Sequence, residues 1–259
     1  MRILILTTAA LLLVLSGCGN RTQEQLGDAD VLYERAKRAS DNGNYRDATA
    51  YYEALEARFP FTNAARQGQL DLMYAYYKNR ESEAAIDQAD QFIRENPAHP
   101  RVDYAYYIKG LVHFERDPNF LERWFRADLS QRPPSDARSS FQAFQTLVQR
   151  FPSSEYAEDA RQRMVFLRNR LASYEVYVAE YYLERGAYVG ALNRARYAVE
   201  NYDGAPQIRR ALLVMADAYE RLGMTELASD TEKVIRENFA NVDEPQPVDE
   251  EEKSWWKFW

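Results

Sequence analysis

Small, aromatic and apolar residues recur along the chain at helical spacings. Counting from Ala48, an aromatic residue follows at offset four, an apolar residue at offset seven and a proline at offset twelve: Tyr52, Leu55 and Pro60. The same frame counted from Ser140 gives Phe144, Leu147 and Pro152. Residues three, four and seven apart lie on one face of an α-helix, and proline ends a helix. The pattern therefore predicts amphipathic helices in which a small residue lets a neighbouring helix approach.

Three looser copies begin at Ala85, Ala191 and Ala228; the last two lack the proline and are identified by their glycine and alanine. In three of the five copies a glycine precedes the small residue by five positions: Gly43, Gly186 and Gly223. Glycine allows the tight turn that joins two helices. A small, an aromatic, an apolar and a proline residue at these offsets are typical of the second half of a tetratricopeptide repeat. The sequence therefore predicts an all-α fold, a superhelical stack of about five tetratricopeptide-like helical hairpins.

Two stretches are longer than a regular repeat requires. The stretch from Phe114 to Asp136 contains three prolines, and it predicts an insertion between the two helices of the third repeat. The stretch from Ala157 to Arg185 contains neither glycine nor proline, and it predicts one helix of about 28 residues. With these additions, we place the repeat domain at residues 30–240.

The chain begins with a basic residue and a short apolar run. Ile3 through Val14 is interrupted only by two threonines, which is typical of a secretory signal and short for a membrane span of about 20 residues. Leu15-Ser16-Gly17-Cys18 follows, and Cys18 is the single cysteine of the chain. This sequence resembles the bacterial lipobox and predicts a signal peptide at residues 1–17, lipidation of Cys18 and a tether over residues 18–29. The alternative is a simple signal with a cysteine nearby by chance.

Charge and residue inventory narrow the possible functions. Against 33 lysines and arginines the chain has 40 acidic residues and a net charge of −7, whereas a nucleic-acid binder needs a basic face. The two histidines, His99 and His113, are too far apart to share one turn of a helix. No glycine-rich phosphate loop and no nucleophile elbow occurs, although a Ser–His–Asp arrangement formed by folding stays open. We expect no nucleic-acid partner, no metal, no cofactor and no catalysis.

A stack of helical hairpins has a concave groove lined by the first helix of each repeat. Tyrosines are concentrated in two predicted first helices, within residues 70–79 and 104–107. Tyrosine suits peptide contact because it combines apolar area with a hydroxyl group. We therefore predict a peptide-binding groove whose contacts include Phe59, Phe61, Tyr74 and Tyr77. The alternative is that these aromatic residues only pack the repeats against one another.

The tail at residues 241–259 differs from the repeats. Proline and acidic residues dominate its first half, and it ends in SWWKFW. Such a composition predicts a flexible acidic linker with an aromatic end. Tryptophan commonly lies at the boundary between membrane and water, so the end is interpreted either as an interfacial anchor or as a segment that occupies the chain's own groove.

Three stretches closely resemble the BamD family of the β-barrel assembly machinery: FPFTNAARQGQLDLMYAYYKN, FIRENPAHPRVDYAYYIKGL and RMVFLRNRLASYEVYVAEYYLERGAYVGALNR. The resemblance implies a lipid-anchored scaffold on the inner leaflet of the outer membrane, facing the periplasm. It also implies binding to the POTRA region of BamA, to other Bam lipoproteins and to the C-terminal signals of unfolded outer-membrane proteins.

The resemblance also assigns roles to two residues. Arg194 matches a family arginine that faces an acidic POTRA residue, and the alternative is a pair with an acid of the same chain. Phe59 stands where the family has an aromatic residue associated with substrate recognition, but phenylalanine lacks the hydroxyl group of tyrosine. The alternative function is a lipid-anchored repeat scaffold that coordinates cell-division or peptidoglycan machinery.

Overall fold

The computed structural model describes residues 19–115 and 133–239, which contain ten α-helices and no strand. Cys18, most of the predicted insertion and the tail from residue 240 onwards lie outside these ranges. The helices are α1 (Gly19–Asp41), α2 (Tyr45–Arg58), α3 (Asn63–Lys78), α4 (Ser82–Glu95), α5 (Val102–Glu115), α6 (Ser135–Arg150), α7 (Ala157–Glu184), α8 (Tyr188–Asn201), α9 (Ile208–Arg221) and α10 (Thr225–Phe239). The all-α fold and the long helix at Ala157 are therefore confirmed.

Two compact units form, divided between His113 and Phe114. In the N-terminal unit α1 packs on α2 and α3, α2 packs on α3, and α3 packs on α4. In the C-terminal unit α7 packs on α6, α8 and α9, while α9 also packs on α8 and α10. Helices α1 to α4 and helices α6 to α10 thus pack in sequential pairs within their units, and the ten helices match five predicted hairpins in number. The first helix begins at Gly19, so the segment predicted as a tether is helical from that residue onwards.

The predicted small residues lie at the helix contacts. Ala48, Ala85, Ser140 and Ala191 are fully buried, and Ala228 is nearly so. Tyr52 and Leu55 are buried beside Ala48 in the core of the N-terminal unit. In the C-terminal unit, Ala191 belongs to an alanine-rich core that includes residues of α7, α8 and α9. The frame of small and aromatic residues is therefore the packing frame of the hairpins.

Four hairpin turns share one geometry. The middle residue of each three-residue connection has a positive φ: 74° at Gly43, 63° at Arg80, 72° at Gly186 and 75° at Gly223. In each turn the next backbone N–H donates to a carbonyl five residues earlier, as Asn44 does to Ala39 at 2.9 Å. This 6→1 bond is the Schellman arrangement, which places its left-handed residue just after the helix. Arg80 in the second hairpin therefore has the left-handed backbone conformation that glycine has in the other three turns.

Candidate functional site

A cleft of about 370 Å³ opens in the N-terminal unit. Its walls come from α1, α3 and α5, with one buried ring from α2, so the first helices of three successive hairpins form most of it. We call it the tyrosine cleft. It is lined by Tyr33, Lys37, Ser40, Asp41, Tyr52, Gln67, Asp71, Tyr74 and Tyr104.

A hydrogen bond between α1 and α3 lies in the wall of the tyrosine cleft. The Tyr33 hydroxyl donates to Oδ2 of Asp71 at 2.8 Å, and Nε2 of Gln67 donates to Oδ1 at 3.3 Å. Burial raises the pKa of the Asp71 carboxyl group, although both hydrogen bonds and the nearby charge of Lys37 act in the opposite direction. Burial and the neighbouring carboxylate raise the pKa of Tyr33 as well. Tyr33 therefore stays a protonated donor and Asp71 remains its acceptor.

Aromatic rings continue from the tyrosine cleft along α3. The ring of Tyr74 meets that of Tyr45 edge-on at 6.1 Å between centroids, and it lies 6.4 Å from the ring of Tyr77. The ammonium group of Lys78 lies 5.9 Å from the centre of the Tyr74 ring. Rings at these separations gain an attractive contact beyond simple area burial. The wall thus offers apolar ring area beside hydrogen-bonding groups, a combination that suits an extended peptide.

The four residues predicted as peptide contacts occupy different environments. Tyr74 lines the tyrosine cleft, and Tyr77 is its ring neighbour on the same helix, as the three-residue spacing predicts. Phe59 is half-buried and packs against the core of the N-terminal unit. Phe61 is 93% exposed beyond the end of α2. The structure therefore brings the two tyrosines together and divides the two phenylalanines between core and surface.

Sequence reasoning missed several polar members of the tyrosine cleft. Gln67, Asp71 and Tyr74 follow one another at spacings of four and three, which places them on one face of α3. Tyr33 and Lys37 have the same relation on α1. This helical spacing was the available signal. This spacing did not identify a site, because an acid or amide on a helix is usually just exposed to solvent.

Arg194 lies in a second polar cluster, in the C-terminal unit. Its Nη1 donates to Oε2 of Glu175 at 2.9 Å, while Nη2 of Arg138 donates to Oε1 at 3.1 Å. The Glu175 side chain is only 1% exposed, whereas both arginine side chains are 42% exposed. The hydrogen bond with Glu175 raises the pKa of Arg194. We call Arg138, Glu175 and Arg194 the Glu175 cluster. The alternative considered for Arg194, a pair with an acid of the same chain, is therefore present, and that acid is buried.

The remaining predicted features concern membranes and metals. Within residues 19–115 and 133–239, no helix combines the length and hydropathy needed to cross a bilayer. Over the same part of the chain, no group of three or more histidine, cysteine, aspartate or glutamate residues is arranged to hold a metal ion. His99 lies in the loop between α4 and α5, where its ring meets Phe92 edge-on at 5.2 Å. His99 therefore has a packing role in that loop.

Comparison with known proteins identifies the family. A family model described as "YfiO: Outer membrane lipoprotein" matches residues 26–234. The chain is 40% identical to "Outer membrane protein assembly factor BamD" of Neisseria meningitidis serogroup A, over 98% of each chain. It is 38% identical to the protein of the same name from Vibrio cholerae, over 80% of this chain and 86% of that one. The chain therefore belongs to the BamD (YfiO) family of outer membrane protein assembly factors.

Proposed function

We propose that the protein is a lipid-anchored, non-enzymatic scaffold that aids the folding and insertion of outer-membrane β-barrel proteins. Its N-terminal unit receives the C-terminal segment of an unfolded barrel protein. Its C-terminal unit binds the POTRA region of BamA, the barrel-forming subunit. Cys18 carries the acyl chains that hold the scaffold on the inner leaflet of the outer membrane, beside other Bam lipoproteins and facing the periplasm.

The tyrosine cleft is the observation that carries the substrate part of this proposal. The C-terminal signal of a barrel protein is extended, with alternating apolar residues and an aromatic end. Tyr74 and its neighbouring rings supply apolar area for such side chains, while Gln67 and Asp71 supply a donor and an acceptor for polar groups of the peptide. Large rings with few rotatable bonds give contact area at low entropy cost. The cleft therefore fits a peptide better than a folded surface.

The family relationship favours this function over the coordination of cell division or of peptidoglycan machinery. Relatives that match over most of their length are named as outer membrane protein assembly factors. The half-exposed guanidinium of Arg194 supports the POTRA contact, because arginine binds carboxylates with two parallel hydrogen bonds. No observation on the described residues specifically favours the alternative.

Site-specific photocrosslinking tests the substrate role. A photoreactive residue replaces Tyr74 in one variant and Tyr181, an exposed tyrosine of the C-terminal unit, in a matched control. Each variant is mixed with a peptide that ends in a barrel protein's C-terminal signal, or with a scrambled peptide of the same composition. We expect crosslinks from position 74 to the authentic peptide only. Crosslinks from position 181 but not from position 74 would reject the N-terminal cleft as the receiving site.

Deletion of residues 241–259 extends the same experiment to the tail. If the aromatic end occupies the tyrosine cleft, its removal raises the crosslinking yield from position 74. If the end is an interfacial anchor instead, the yield stays the same while binding to vesicles falls. Either result leaves the assignment of the cleft itself intact, because that assignment depends on the comparison between positions 74 and 181.

A further inference from the structure

The Glu175 cluster joins three helices of the C-terminal unit through one carboxylate. Arg138 on α6 and Arg194 on α8 each donate to a different oxygen of Glu175 on α7. Both guanidinium groups are therefore held next to each other by a group that is itself almost completely buried. Two positive charges and one negative charge leave the cluster locally positive on a chain whose net charge is −7.

The exposed arginines retain hydrogen-bonding capacity towards solvent. A guanidinium has five N–H donors in a planar fork, and each arginine of the cluster gives one terminal nitrogen to Glu175. Each of the two arginine side chains is 42% exposed, so both guanidinium groups reach the surface beside the buried acid. Held arginines lose less conformational entropy on binding than freely moving ones do. The geometry is that of a preformed receptor for a planar anion.

A purely structural role accounts poorly for this arrangement. A buried ion pair is often no more stabilising than well-packed apolar residues of similar volume, because the charges lose their hydration. The core cluster around α7 and α8 consists of buried alanine and valine residues, with partly buried tyrosine, leucine, valine and methionine side chains packed against them. An apolar residue at position 175 would continue that packing without the desolvation of a carboxylate. The presence of a buried acid is explained if Glu175 orients the two guanidinium groups towards the surface.

We infer that Arg138 and Arg194 together bind one carboxylate of a partner protein and that Glu175 is their positioning residue. This inference rests on the proposed contact with the POTRA region, and it adds Arg138 and Glu175 to the single arginine considered there. A protein carboxylate is the fitting ligand because its two oxygens match two neighbouring guanidinium forks. The surface of the C-terminal unit at α6 and α8 is then the face that meets the acidic patch of the partner.

The test compares single arginine variants of the full-length chain for binding to the purified POTRA region. Arg138→Gln and Arg194→Gln each remove one guanidinium from the Glu175 cluster. Arg161→Gln is the matched control, because its side chain is 44% exposed and ion-paired on the same long helix. Position 161 lies 14 residues before Glu175, which is about 21 Å along α7. Affinity is measured across a range of salt concentrations, and each variant's melting curve is recorded alongside.

We expect Arg138→Gln and Arg194→Gln each to weaken binding by about tenfold, with a shallower salt dependence. Arg161→Gln should stay within about twofold of the unchanged chain, as expected for a charge outside the contact. Arg138→Lys keeps the charge but loses the planar guanidinium group, so its affinity should lie between those of Arg138→Gln and Arg161→Gln. The double glutamine variant should lose less than the product of the single losses, because both arginines bind the same carboxylate.

Glu175→Gln isolates the positioning role, since it keeps the shape and removes the charge that holds the two arginines. We expect weaker POTRA binding even though the local positive charge increases. Unchanged affinity of folded Glu175→Gln would overturn the positioning role. Equal affinities of Arg138→Gln and Arg161→Gln, with a clear loss in Arg194→Gln, would overturn the two-arginine receptor and leave the proposed function standing. Failure of the unchanged chain to bind the POTRA region would reject the proposed contact itself, and with it the receptor.

Discussion

The hydrogen bond from Tyr33 to Asp71 can be tested by removing a single oxygen atom. In Tyr33→Phe the ring can keep its contact with Tyr52, whose centroid lies 6.1 Å away, but the donor at 2.8 Å from Asp71 is lost. A hydrogen bond to a charged group contributes about 1.5–3 kcal/mol. Because Asp71 is half-buried rather than fully buried, we expect a loss of unfolding free energy near the lower end, about 1.5 kcal/mol.

The expected loss depends on pH in a defined direction. The bond from Tyr33 lowers the pKa of Asp71 against the larger effect of burial, which raises it. Without that bond the folded-state pKa of Asp71 rises further. The variant therefore loses most unfolding free energy at pH values where Asp71 is ionised. The difference in unfolding free energy between the unchanged chain and the variant is therefore largest near neutral pH. It shrinks as the pH falls through the folded-state pKa of Asp71. Linkage between proton binding and folding requires this sign.

Urea unfolding followed by circular dichroism, at pH 7 and at about pH 4, measures both effects. Tyr76→Phe is the matched control, because the Tyr76 hydroxyl donates to Oε1 of Glu53 at 2.7 Å and Glu53 is exposed. An exposed pair contributes about 0–1 kcal/mol. If Tyr33→Phe loses no more stability than Tyr76→Phe at neutral pH, or if its loss is the same at both pH values, the reasoning about Asp71 is wrong.

Two further substitutions test the anchor and a turn. Cys18→Ala should leave the repeat domain folded but release it from the outer-membrane fraction, because several acyl chains are needed for stable anchoring; normal acylation and fractionation of the variant would contradict this. Arg80→Gly should stabilise the chain by about 0.5–1 kcal/mol in urea unfolding, because a positive φ of 63° strains a residue with a Cβ atom. Gly223→Ala, where an added Cβ has open space, is the reverse control and should destabilise by a similar amount. A loss of stability in Arg80→Gly would show that the arginine side chain makes a compensating contact.

Local rules made the hairpins predictable from the sequence. The burial of Ala48, Ala85 and Ser140 follows from one face of one helix, so spacing along the chain was enough to find them. The turn glycines followed from the same frame. Counting five residues back from Ala85 also reaches Arg80, yet the side chain there gives no sign of a left-handed backbone. The hairpin geometry imposes that conformation, and the residue type does not reveal it.

The polar sites depend on residues far apart in sequence and could not be found in this way. Glu175 looks like any surface acid of a long helix, but its partners are 37 and 19 positions away, at Arg138 and Arg194. Tyr33 and Asp71 are likewise separated by 38 positions. Such contacts form only when separate helices pack together. Helical spacing predicts which residues share a face, and tertiary packing decides which faces meet.

The length of α7 limits how the repeats of this chain can be exchanged. Repeat proteins usually gain or lose units because each unit contacts only its neighbours through equivalent interfaces. Helix α7 has 28 residues, twice the 14 of α9, and it packs on α6, α8 and α9. Removing one hairpin here would expose apolar surface on a helix that the remaining hairpins still need. We therefore expect the C-terminal unit to behave as one module, in which deletion of a single hairpin destabilises the helices that remain.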